Sequence, residues 1–89
     1  MTLESIDKKR KRMIFRSWHR GTREMDIIMG SFADKHIPNF TEAQLDTYDE
    51  ILSIPDPDIY EWICEREQPP ANTRSDVLTM LLNHDTSKR

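Results

Sequence analysis

Arg20-Gly21-Thr22-Arg23-Glu24-Met25-Asp26-Ile27-Ile28-Met29-Gly30-Ser31-Phe32 is the stretch on which the architecture turns. Its second half carries Met25, Ile28, Met29 and Phe32 at i, i+3, i+4 and i+7, a spacing that gathers apolar side chains on one face of an α-helix. In the first half, Gly21 reaches backbone angles that other residues resist, so one helix can end there and another begin. Arg20, Arg23 and Glu24 crowd this bend with His19 beside them, a chemistry that packing alone does not require. The two methionines read as adaptable core filling rather than sulfur chemistry. Gly30 costs a helix about 1 kcal/mol relative to alanine, which points to a close helix crossing.

Working outward, Ile6, Met13, Ile14, Phe15 and Trp18 predict a helix from about Ser5 to His19, with Ser5 as its cap and residues 8–12 forming a solvated first half. Pro38 ends the second helix. Thr41-Glu42-Ala43-Gln44 has the form of a capping box, and Leu45, Tyr48, Ile51 and Leu52 supply the buried stripe that follows. Pro55 stops that helix. Asp56 is expected to cap the next, with Pro57 at its first position and Ile59, Trp62 and Ile63 facing inward. Gln68-Pro69-Pro70 is expected to close it. Thr73 offers a cap for a last helix, with Asp76 in its first turn and Val77, Leu78, Leu81 and Leu82 as its stripe. No segment alternates with period two. The expectation is an all-α, small five-helix bundle forming a single domain over residues 1–89, with an ordered core at about 5–84 and a flexible tail at about 85–89; His84 falls at the start of the frayed end.

A chain of 89 residues has room for one small core and buries about 60–65% of its unfolded surface. Hydrophobic content of 36% against 33% charged suits a helical domain with a wet surface. No apolar run approaches the ~20 residues of a membrane span. The N-terminal segment lacks a secretory h-region, and Glu4 and Asp7 argue against a transit peptide, so the chain reads as soluble and mature. Cys64 is the sole cysteine; it permits no intrachain disulfide and reads as a partly buried, inert thiol. His19, His36 and His84 lack metal-ligand spacing, and no metal site is expected. The net charge of −3 conceals an asymmetry: residues 1–24 carry eight Lys/Arg against three acids, and the remainder five against thirteen. Either this dipole steers an acidic partner, or the halves neutralise each other across the surface.

Three classes of function follow. An enzyme would need an activated nucleophile or an acid–base pair, and none is recognisable. Nucleic-acid binding could use the stripe from Lys8 to Arg12 with Arg16, Arg20 and Arg23, but a short basic run on an acidic chain more simply reads as a solvated helix face. Protein binding could use Trp18, Arg20 and Arg23, residue types that often anchor interfaces. At the bend two readings stay open: an interface with a partner, or a capping glycine with an internal Arg20–Glu24 pair.

Arg20-Gly21-Thr22-Arg23-Glu24-Met25-Asp26 resembles the RGxxE segment of the succinate dehydrogenase assembly factor 2 family, the SdhE-type flavinylation factors. Asp56-Pro57-Asp58-Ile59-Tyr60-Glu61-Trp62-Ile63 resembles that family's DxDLxxWL-type segment, in the same order and at similar spacing. The resemblance implies a five-helix factor, not itself an enzyme and with no catalytic residue. It would bind the flavoprotein subunit of succinate dehydrogenase, and often fumarate reductase, and promote covalent attachment of FAD to a histidine of that partner. FAD would belong to the partner, with no cofactor held stably by this chain. It implies partner-binding roles for Arg20, Gly21 and Glu24, with Arg16, His19 and Arg23 flanking them. Trp18, Asp56, Asp58 and Trp62 are secondary or structural, Asp56 as a cap and Trp62 as a core anchor. His19 departs from the pattern, which usually has another arginine there. Some relatives are described as antitoxin-like, which keeps an adaptor role as the alternative. The implied complex is transient, one-to-one and formed by a monomer without nucleic acid or membrane insertion. It would form in a bacterial cytoplasm, or in the mitochondrial matrix for a eukaryotic chain.

Overall fold

The computed structural model describes residues 5–84; the tail expected at 85–89 lies outside them. Five α-helices follow in order: α1 (Ile6–Trp18), α2 (Arg23–His36), α3 (Glu42–Leu52), α4 (Asp56–Ile63) and α5 (Asp76–Leu82), with 3-10 turns at Ile37–Asn39 and Ala71–Thr73. No strand occurs among the described residues. The all-α five-helix expectation therefore holds.

α1 packs most extensively on α2, with α3 against α1 and α5 against α3. The predicted stripe of α2 is buried throughout: Met25, Ile28, Met29 and Phe32 all face the core. Leu45, Tyr48, Ile51 and Leu52 do the same from α3, Ile59 and Trp62 from α4, and Val77, Leu78 and Leu81 from α5. Phe32, Phe40 and Tyr48 form an aromatic centre, with ring centroids 5.5–6.4 Å apart. Gly30 marks the predicted close crossing: a Cβ there would overlap the Trp18 indole of α1.

Helix ends are where the sequence reading needs correction. Ser5 and the Thr41–Gln44 box cap α1 and α3 as expected. Asp56 does not cap α4; Pro55 holds that position, and the Asp56 carboxylate is drawn away by Arg20. α4 ends at Ile63, well before the proline pair. Glu65 there adopts a left-handed φ of 60°, while Glu65 N–H donates to the Trp62 carbonyl (3.1 Å) and Arg66 N–H to the Glu61 carbonyl (2.9 Å). That is a Schellman turn without its usual glycine. Ser75, not Thr73, caps α5, because Thr73 is used in the preceding 3-10 turn. His84 is not frayed: its Nε2 lies 2.9 Å from the Ser31 hydroxyl, joining the end of α5 to α2.

The α1 stripe also differs. Phe15 is 63% exposed and Ile6 lies at the surface, while Ser17 is fully buried beside Met13. Ser17 tolerates burial because its hydroxyl donates to the Met13 carbonyl (2.8 Å) and shares a 2.6 Å hydrogen bond with Tyr48. Burial, its largest cause, pushes the Tyr48 phenol up to about 12. Cys64, expected to be partly buried, is exposed just beyond α4.

The charge asymmetry is largely resolved within the molecule. Lys9 of α1 pairs with Asp46 of α3. Arg16 reaches Asp49 at 2.8 Å, and Arg12 lies 4.0 Å from the same carboxylate. The basic face of the first helix is thus laid against the acidic face of the third.

Candidate functional site

The bend begins where α1 runs out. His19 is the C-cap of α1, and its Nδ1 lies 2.7 Å from the Phe15 carbonyl. A carbonyl only accepts, so Nδ1 donates, on a residue that is itself exposed. The imidazole stacks on Phe15 with centroids 4.0 Å apart. Gly21 then adopts φ +120°, with nothing near the position a Cβ would take. The glycine is therefore needed for its backbone angle and not for internal space. Thr22 caps α2, its hydroxyl accepting from Met25 N–H at 3.3 Å. Asp26 reaches back from α2 and accepts from Arg20 N–H (2.5 Å) and Gly21 N–H (3.3 Å). One carboxylate thus gathers both amides of the turn.

The open question about Arg20 has an answer that neither sequence reading contained. The Arg20 side chain is only 10% exposed and does not pair with Glu24. Nε and Nη2 both donate to one oxygen of Asp56, at 2.9 and 2.6 Å. Nη1 donates to the Leu52 carbonyl (2.8 Å) and Nη2 also to that of Ile54 (3.3 Å). The planar fork thus fastens the end of α3 and the start of α4 to the bend. Thirty-six residues apart in sequence, the two motif segments meet in this one interaction.

They meet a second time at the surface. The Tyr60 hydroxyl donates to Glu24 at 3.3 Å. This hydrogen bond, the largest cause, with Cys64 also contributing, pushes the Tyr60 phenol up to about 12. Between the two links lies an open groove of about 420 Å³, lined by Thr22, Glu24 and Met25 on one side and Asp56, Pro57 and Tyr60 on the other.

The remaining sequence candidates separate clearly. Gly21, Arg23 and Glu24 are exposed on the bend, with His19 beside them. Asp58 is exposed at the start of α4. Arg16 is half-buried on Asp49. Trp18 lies against Gly30 and donates from Nε1 to Asp34 at 3.2 Å, so it serves the α1–α2 crossing. Trp62 is a core residue, as expected. Asp26, Thr22 and Tyr60 escaped the sequence reading. Thr22 was legible as a helix cap; the other two needed knowledge of which segments meet.

Chemically, the site offers exposed backbone at Gly21, the Arg23 guanidinium, the Glu24 carboxylate and the His19 imidazole on the bend, with an open groove beside Glu24. That is equipment for contact with another protein. Among the described residues no group of three or more His, Cys, Asp or Glu side chains could hold a metal ion, and no helix is long and apolar enough to cross a membrane.

Comparison with known proteins shows the family to which the chain is similar. The model of a family described as flavinator of succinate dehydrogenase matches residues 11–85. A mitochondrial succinate dehydrogenase assembly factor 2 from Dictyostelium discoideum is 38% identical over 82 residues, covering 92% of this chain and 58% of its own. The protein of the same name from Candida glabrata is 38% identical over 89 residues, covering 96% and 58%. A mitochondrial succinate dehydrogenase assembly factor 2-A from Drosophila willistoni is 30% identical over 83 residues, covering 91% and 53%. The chain thus spans just over half the length of these curated relatives.

Proposed function

Because the chain belongs to the flavinator of succinate dehydrogenase family, we propose that it binds the flavoprotein subunit of succinate dehydrogenase and promotes covalent attachment of FAD to a histidine of that subunit. The observation that carries this reading is the joining of two distant motif segments around one exposed bend. Arg20 on Asp56 and Glu24 on Tyr60 hold that bend over an open groove.

The chain acts as a helper and not as a catalyst. The reacting histidine, the flavin and the acid–base groups belong to the flavoprotein, and this factor holds no FAD of its own. Orientation is enough: holding two reacting groups in place can lower a barrier by several kcal/mol, up to about 7–11 kcal/mol, without any catalytic side chain from the helper. Gly21 lets the partner approach the backbone, Arg23 and Glu24 offer a cation and an anion to it, and His19 extends the contact along α1. A transient one-to-one complex burying about 1,200–2,000 Å² would suffice. Fumarate reductase, whose flavoprotein would present the same chemistry, is a second client. The proposed compartment is the one in which the unassembled flavoprotein is soluble, a bacterial cytoplasm or the mitochondrial matrix; the relatives are named as mitochondrial.

The test is covalent flavin on the flavoprotein subunit, read as in-gel fluorescence in cells with and without this gene. The flavin band is expected to fall in its absence and to return with the wild-type chain. Gly21→Arg and Glu24→Ala are expected to yield folded helical chains, by circular dichroism, that fail to restore it. A band unchanged by loss of the gene would sink the assignment.

A further inference from the structure

We propose that Arg20 and Asp56 are positioning residues for partner binding: the arginine of the bend acts through Asp56 and does not itself touch the flavoprotein. This inference rests on the flavoprotein reading above and refines it. Its basis is the way the guanidinium is spent. Nε, Nη1 and Nη2 all donate within the chain, to Asp56 and to the Leu52 and Ile54 carbonyls. The side chains of Arg20 and Asp56 are 10% and 19% exposed. Four of the guanidinium's five N–H donors are thereby used, so a partner carboxylate could take a bidentate grip on Arg20 only by breaking this forked, charge-assisted network, at a cost a surface contact does not repay.

The arrangement explains what the pair does for the surface. Arg20 immediately precedes Gly21, and Asp56 immediately precedes Pro57, which lines the groove. Fixing the two side chains together therefore fixes the separation of the groove walls and the direction in which Gly21, Arg23 and Glu24 face. The link at the other end, Tyr60 to Glu24, is exposed and a single 3.3 Å bond. Glu24 can leave it for a partner cation while the Arg20–Asp56 pair keeps the frame. The bend thus divides its work between a largely buried strut and an exposed contact.

A double-mutant cycle on affinity decides the matter. Kd for the purified FAD-free flavoprotein subunit would be measured by calorimetry with wild type, Arg20→Ala, Asp56→Ala and the double variant, at a temperature where all are folded by circular dichroism. Each single variant is expected to weaken binding by about tenfold, and the double variant by the same tenfold, because either change removes the whole strut. Arg20→Lys should match Arg20→Ala, since an ammonium cannot reproduce the fork. Ser75→Ala, which removes the cap of α5 and none of the hydrogen bonds of Arg20 or Asp56, is expected to destabilise the fold without moving Kd and so separates positioning from general loss of stability. Losses that multiply to about a hundredfold would show Arg20 contacting the partner independently and would overturn the inference alone. Wild-type affinity in the Asp56 variant would overturn it likewise. A wild-type chain that binds no flavoprotein would remove the functional reading and the inference together.

Discussion

The two glycines show how one residue type serves two different physical needs. Gly30 is needed for space, because its missing Cβ is where the Trp18 indole lies; Gly21 is needed for its angle, with open space around it. Alanine at Gly30 gains about 1 kcal/mol of helix propensity but must push α1 from α2, and overpacking of this kind costs about 1–3 kcal/mol. Gly30→Ala is therefore expected to lower the denaturation midpoint. In a Trp18→Ala background the same change should become neutral or stabilising, since the indole no longer opposes it. Equal effects in both backgrounds, by urea titration, would show that Gly30 is not there for the crossing. The sequence announced both glycines and the closeness of the crossing, but not that Trp18 fills it. An aromatic residue at the end of a helix reads equally as a core residue or an interface anchor until its neighbours are known.

At the scale of elements, the stripes were legible and the boundaries were less so, for a physical reason. A stripe repeats over several turns, so many residues agree on one face; a cap is a single residue choosing among local partners. Thr73 was the expected cap of the last helix, but the role falls to Ser75 because the chain makes a 3-10 turn first. Ser75→Ala should cost about 1 kcal/mol of stability, and Thr73→Ala, which loses only an exposed hydrogen bond to the Pro70 carbonyl, less than half of that by the same measurement. The end of α4 makes a sharper case. Glu65 holds φ 60° where most helices ending this way place glycine. Relief of that angle outweighs the greater freedom glycine has when unfolded, so Glu65→Gly is expected to stabilise by about 0.5–1 kcal/mol. For a domain of this size that is a rise of about 2–8 °C in Tm. A fall in Tm on thermal melting would mean that the Glu65 side chain contributes more than its backbone costs. The prolines at 69 and 70 drew attention away from this turn because proline is a visible stop, whereas a left-handed glutamate leaves no mark in a sequence.

Across the whole molecule, the candidate site was legible as two separate segments, and the fold supplied their junction. Nothing in the residues at 20 and 56 says that they touch; three helices must pack before they do. The same packing lays the bases of α1 against the acids of α3, so a lopsided charge count became an internal seam. The opposite end of the bundle carries the molecule's pH response. His36 lies tilted against Phe32 and stacked on Phe40, with centroids 4.7 and 6.1 Å away, and 6.3 Å from the ring of His84. Burial first, and the charge of Lys35 second, hold its imidazolium below the ordinary value of 6.5. Between that lowered value and 6.5 the unfolded chain carries a proton that the folded chain lacks. Stability therefore rises with pH through this window, is complete above about pH 7, and is lost as pH falls below about 6.5. Denaturation free energies measured between pH 7.5 and 5.5 should decline for the wild type, in the window about the His pKa. His36→Gln, which cannot titrate there, should flatten that decline while leaving the bend and its groove, at the other end of α2, unaltered. An identical slope in both proteins would place the response on another group and separate the His36 environment from the stability of the bundle.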